Sequence, residues 1–170
     1  MALLHRILRA EDWEVAQRLL GRLDRKPDVV IAPSGGRDYL YRWHLVPRNM
    51  EANVYFHVQV ASDPERPLHD HPWDNQSVIL AGGYQEVLQE GPHLVPTLEQ
   101  RHKGQTIWRK AEVAHRLVLP ATEPYTMTLF TTGATRRDWG FWIDGTWHSH
   151  NDCITHDRQG KSTFHYPKGV

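Results

Sequence analysis

Cysteine is almost absent: one residue, Cys153, among 170. A single thiol forms no internal disulfide and supplies no cysteine-rich zinc site, so a metal held by this chain has to be held through nitrogen and oxygen. A charge surplus is missing as well. The 20 Lys+Arg balance the 20 Asp+Glu, for a formal net charge of +0 with histidine neutral. Polyanion binding draws on a basic surplus or patch, so no nucleic-acid partner is expected. No apolar run approaches the roughly 20 residues that cross a bilayer, so no membrane partner is expected. The stretch from Met1 to Trp13 carries His5, Arg6, Arg9, Glu11 and Asp12 among its apolar positions, which argues against a signal peptide and for a cytoplasmic protein. What the chain does have is 12 histidines and 7 tryptophans, on a length suited to one domain with a sizeable core.

Hydrophobic periodicity changes once along the sequence. Leu4, Ile7, Leu8, Val15, Leu19, Leu20 and Leu23 repeat near a spacing of 3.6, which predicts a helical extension over residues 1–25, with Glu11 or Asp12 as a cap that splits it in two. Residues 26–37, with Pro27, Pro33, Gly35 and Gly36, read as turn. From Tyr39 onward, short aromatic and β-branched runs alternate with Gly, Pro and Asp about every ten residues. The expected strands cover 39–46, 54–61, 76–80, 84–89, 94–100, 106–108, 115–119, 125–131 and 139–143. No helix-length pattern lies between them, which excludes parallel βαβ units and predicts an all-β sandwich, jelly roll or small barrel over residues 38–145. Trp43, Trp108, Trp139 and Trp142 are expected in its core. Residues 146–170 are polar and read as an irregular tail.

The densest chemical signal is Leu68-His69-Asp70-His71-Pro72-Trp73-Asp74-Asn75-Gln76. Residues two apart on a strand share a face, so His69 and His71 project together and can share one ion. His115, which opens the strand His115-Arg116-Leu117-Val118-Leu119, is the candidate third ligand. The stretch resembles the first cupin motif, His-x-His followed by Glu and then Gly: three residues after His71 comes Asn75 and six later Gly82, while a gap of four gives Gln76 and Gly83. The second cupin motif is matched at Gly104 and His115, whereas Lys110, Glu112 and Leu119 stand where the family has Pro, Gly and Asn. The family's leading Gly before the histidine pair is absent. The resemblance runs from about Asp63 to Leu119.

It implies a cupin double-stranded β-helix, or jelly roll, with an N-terminal helical extension, and an association into homodimers common among small cupins. It also implies a divalent metal on His69, His71 and His115. The family's glutamate position holds Asn75 or Gln76, amides that ligate weakly or orient a histidine from outside. What remains is similar to the three-histidine site of cysteine dioxygenase-like cupins. Three neutral ligands leave the ion its full charge, which favours a small anionic substrate, and the resemblance implies Fe(II), with Zn, Ni or Mn as the other choices. The expected function is a non-haem iron dioxygenase. The alternatives are a non-oxidative metal-dependent isomerase or lyase and a non-enzymatic small-molecule-binding cupin. A 2-oxoglutarate-dependent enzyme is disfavoured, because His71 stands where that chemistry uses a carboxylate.

Around this centre, Trp73 is expected to line a pocket and Arg136 to grip a substrate carboxylate or else to sit on a solvated turn. Asp74 and Glu86 are further carboxylates within reach of the strand pattern. In the tail, His148, His150, His156 and Cys153 hold a zinc ion, cover a pocket mouth, or are ordinary loop residues; Cys153 as a nucleophile lacks any partner acid. His44 and His57 read as buried, hydrogen-bonded strand histidines.

Overall fold

Valine, isoleucine, threonine and aromatic residues crowd the centre of the chain, and the strands form there. The computed structural model describes residues 2–32, 37–91, 93–156 and 162–167. Pro33, Gly35 and Gly36 of the expected turn lie outside the described residues, as do residues 157–161 and 168–170 of the tail.

Numbered in chain order, the strands form two six-stranded antiparallel sheets among the described residues. The first runs in space as β1 (Val29–Ile31), β2 (Leu40–His44), β3 (Asn53–Gln59), β10 (Thr126–Thr132), β5 (Asn75–Ala81) and β8 (Thr106–Arg109). The second runs as β12 (Thr146–Ser149), β11 (Gly140–Ile143), β4 (Leu68–His69), β9 (Ala114–Val118), β6 (Gly83–Gln89) and β7 (Thr97–His102). From β3 to β11 the chain crosses repeatedly between the sheets, with only β6 and β7 staying together, and the inner faces of both meet in a jelly roll. The crossing between β5 and β6 uses Gly82 at φ 66°, where a side chain would collide with the Tyr125 carbonyl. Gly104, at φ 89°, makes the tight turn between β7 and β8.

The helices α1 (Leu3–Ile7) and α2 (Ala10–Leu20) close one part of the roll. Their buried Leu4, Leu8, Ala16 and Leu20 pack with Trp43, Phe56, Val58 and Met127 into the largest apolar cluster. The break between them falls at Leu8–Arg9 rather than at Glu11 or Asp12. Asp12 does not cap: it is buried and accepts a 2.5 Å bond from the Tyr125 hydroxyl, tying α2 to the sheet. Trp108 departs from the expected core. Strand alternation on the edge strand β8 turns Ile107 and Arg109 inward and leaves Trp108 74% exposed.

The tail is not irregular. Ile143 and Thr146 pair across the two-residue turn Asp144-Gly145, both at positive φ (47° and 77°), which builds the hairpin β11–β12. A short helix α3 (His150–Cys153) and a second hairpin, β13 (Ile154–His156) with β14 (Ser162–Phe164), follow.

Candidate metal centre

Pairing of β4 with β9 sets His69 opposite His115, and His71 follows just beyond the strand, its backbone N–H held by the Ala111 carbonyl at 3.0 Å. The three imidazoles converge: one ligand nitrogen from each lies within 4.8 Å of the others. His71 Nε2 and His115 Nε2 face each other at 2.8 Å. Two nitrogens at neighbouring positions around an ion bound at about 2.1 Å stand about 3 Å apart, so this donor set fits a divalent metal.

Each histidine is positioned differently. His115 Nδ1 is 2.7 Å from the Glu86 carboxylate, which leaves Nε2 for the centre. Glu86 is fully buried, takes a 2.5 Å bond from Arg109 Nε and a 2.9 Å bond from Arg101 Nε, and so links the sheets. Burial alone raises its pKa, but the bond to His115 and the Arg109 charge overcome that and hold it well below the usual carboxylate range. Arg109, desolvated yet held by Glu86, is raised in turn and also donates to Ser77 and Tyr84. Between the paired histidines, Asp70 is buried and accepts from Gly140 N–H, Arg137 Nη1 and Trp147 Nε1. That pins the His-x-His turn to β11 and β12. Trp73 stacks on His71 at 4.6 Å and 9°. Burial pushes the pKa values of His69 and His71 well below the ordinary value, which favours neutral rings that offer lone pairs.

The triad opens on a cavity of about 580 Å³ whose wall also includes Arg42, His57, Trp73, Tyr84 and Phe130. No family model matches the chain, and no curated protein matches it. Solved structures do. Iron(II) HppE in complex with substrate superposes with TM-score 0.51 at 15% identity, over 64% of this chain and 57% of that one. The DMSP lyase DddQ from Ruegeria pomeroyi gives 0.45 at 15% identity over 78% and 55%, and the EutQ protein of Clostridium difficile gives 0.47 at 10% over 62% and 76%. This is the cupin fold. The chain spans little more than half the length of the HppE it resembles, and at these identities the likeness concerns the fold alone.

Set on the cupin fold, the sequence expectations sort themselves. Asn75, one of the two candidates for the glutamate position, is buried, with its Oδ1 3.4 Å from Arg109 Nη1 and no partner for its Nδ2 among the described residues; it is not part of the cavity wall. Gln76, next along β5, points to the opposite face because strand neighbours alternate, and the structure does not bring it to the triad. Arg136 is not brought to the cavity either. Its Nη2 binds Asp74 at 2.6 Å and Glu112 at 3.1 Å on the exterior.

From the tail, His150 stacks on Trp139 at 4.6 Å and joins His156 in the cavity wall, whereas His148 lies on β12 away from it. Cys153 is buried, and burial raises its thiol pKa, the opposite of an activated nucleophile. His57 is buried and accepts a bond from Arg42 Nε at 2.8 Å. Sequence reasoning missed Arg42 and Arg109 altogether. Inward alternation on β2 and β8 was the only signal for either.

Proposed function

We propose that the protein is a metal-dependent cupin enzyme, an iron(II) dioxygenase acting on a small anionic substrate. The observation that carries this reading is that three imidazoles, with no carboxylate among them, converge on the wall of a cavity large enough for a small molecule. Bound there, a divalent ion supplies Lewis acidity, and as iron it supplies redox chemistry with positions open to exogenous ligands. The chain's own part is to hold the ligands and shape the pocket. Glu86 and Arg109 fix His115, Asp70 fixes the turn that carries His69 and His71, and Trp73 packs beside His71 to keep bulk water off one side.

Metal content of protein purified without chelator, followed by oxygen uptake after iron(II) loading with amino-acid, thiol and diketone substrates, tests the reading. Stoichiometric metal that disappears in His71→Ala, with substrate-dependent oxygen uptake, is the expected result. Turnover without oxygen uptake replaces the oxygenase by an isomerase or lyase on the same ligands. A well-folded protein that takes up no metal overturns the reading.

A further inference from the structure

Asp138 and His150 form a pair that takes no part in holding the metal. His150, on α3, belongs to the cavity wall, and its ring stacks on Trp139 at 4.6 Å and 13°. Trp139 in turn meets His69 edge-on at 6.3 Å, so His150 stands one ring away from the triad. The Asp138 carboxylate is fixed on both oxygens: Oδ2 accepts from Ser149 Oγ at 2.7 Å and Oδ1 from the Trp139 N–H at 2.9 Å. The Ser149 bond above all holds its pKa below the ordinary value, so it is ionised. His150 Nδ1 lies 3.1 Å from Asp138 Oδ1 and 3.1 Å from the Trp139 carbonyl. Both oxygens only accept, which puts the ring proton on Nδ1 and leaves a lone pair on Nε2. Nε2 has no partner among the described residues. Asp138 is 47% exposed and His150 25%, so the pair joins solvent to cavity.

The other titratable groups of the wall are committed elsewhere. The triad turns its nitrogens toward the centre, and His57 Nε2 accepts from Arg42 Nε. Asp63 is engaged by Gln59 Nε2 and the Leu117 N–H, and Glu65 is exposed. Burial pushes the Tyr39 phenol up to about 12 and raises that of Tyr84, so both keep their protons. His156 shares the wall, but its Nδ1 meets the Ser162 hydroxyl at 3.2 Å and no carboxylate backs it among the described residues. Of the elements packed against α3, β11 carries no titratable residue, β12 carries His148 and β13 carries His156; α3 itself adds Asp152 and Cys153. Asp138 alone among these acids is in contact with the His150 ring.

We infer that His150, oriented by Asp138, is the proton acceptor of the cavity and takes the proton of a substrate O–H or S–H group on Nε2. The O–H or S–H bond breaks, its electron pair stays on oxygen or sulfur, and the proton forms the Nε2–H bond. Asp138 balances the charge of the resulting imidazolium, and Nε2 later returns the proton to product or releases it to water. His150 is then a catalytic residue and Asp138 a positioning one. This deepens the reading of the cavity as an active site and rests on it. It narrows the substrate to a molecule with an ionisable hydroxyl or thiol.

Proton–nitrogen NMR of labelled histidine and stopped-flow absorbance test this on the full chain, metal-free and zinc-loaded, with nitrocatechol, whose ionisation is visible. Without the probe, His150 is expected to carry its proton on Nδ1 alone. With nitrocatechol added, a second proton appears on its Nε2 while the absorbance of the fully ionised catechol rises. His150→Gln is expected to slow that ionisation at least about tenfold and to keep its metal content. Added imidazole restores part of the lost rate, which it does not do for a merely structural defect. Asp138→Asn keeps the ring, covers the case of a poorly folding His150→Gln, and is expected to slow the step about two- to tenfold. His156→Gln stays within about twofold of the wild type. A proton on Nε2 of His150 without the probe, ionisation as fast in both variants as in the wild type, or nitrocatechol that binds neither form would each overturn the inference. A protein that holds no metal and still protonates His150 on binding nitrocatechol keeps this inference and removes the metal reading. Metal uptake with ionisation indifferent to His150 does the reverse.

Discussion

The two faces of the first sheet serve opposite ends: one packs against the helices, the other lines the cavity. On the face covered by α1 and α2, Trp43, Phe56 and Met127 pack against Leu4 and Leu20, and the space between elements is filled. Around the triad, inward positions are histidine, arginine, glutamate and tyrosine, and the space is open. Close packing stabilises the first region by excluding water and voids. The second is organised by hydrogen bonds that fix side chains without filling the volume between them, which is how a site differs from a core. Stability is therefore expected to reside at the packed end and chemistry at the open one, and this contrast can be tested by substitution.

Trp43 is fully buried, and Trp43→Ala is expected to cost about 3–5 kcal/mol in denaturant unfolding, with metal stoichiometry retained in the folded fraction. A cost below about 1 kcal/mol would erase the contrast. His71→Ala is expected to abolish metal uptake while changing the stability of the metal-free chain by about 1 kcal/mol or less. Glu86→Gln keeps the shape but removes the charge behind His115. A loss of about 10–100-fold in metal affinity, measured by competition with a chelating dye, is expected.

Acid is expected to act on the open end next. The folded state lowers the pKa values of His57, His69 and His71 below the ordinary 6.5, mainly through burial. Their contribution to stability is therefore fully present above about pH 6.5 and is lost as the pH falls below it, because the unfolded chain then binds protons that the folded chain refuses. The lowered carboxyl of Glu86 adds a loss in the same direction at still lower pH. Melting temperatures of the metal-free protein that stay flat from pH 7.5 to 5.5 would contradict this. The smallest effect is expected for Arg136→Ala: its exterior pairs with Asp74 and Glu112 predict a stability change within about 0.5 kcal/mol and unchanged metal affinity.

The strand-period pattern carried most of the fold, because each strand has one face inward and that shows as alternation. His69, His71 and His115 were legible for the same reason, helped by the spacing to Gly82 and Gly104, where positive φ requires glycine. Of the partners that orient them, Glu86 was legible only as a carboxylate within reach, and Arg109 not at all. Glu86 and Arg109 sit 23 residues apart on different sheets and meet only after both sheets have stacked, a relation no local spacing encodes. Asn75 and Arg136 mark the limits in the other direction: one occupies a motif position without lining the cavity, and the other has a suitable side chain on the wrong surface. The tail misled through its composition. Its polar residues hid two hairpins, although Asp144-Gly145 is a two-residue hairpin signal in plain view.

The second of those hairpins has a consequence for how the site comes into being. His156, Ser162 and Phe164 belong to the cavity wall, yet the three histidines are all in place by residue 115. As the chain is synthesised, the ligands emerge well before the wall that encloses them. A chain cut before β13 therefore keeps all three histidines while losing one side of the room that encloses them.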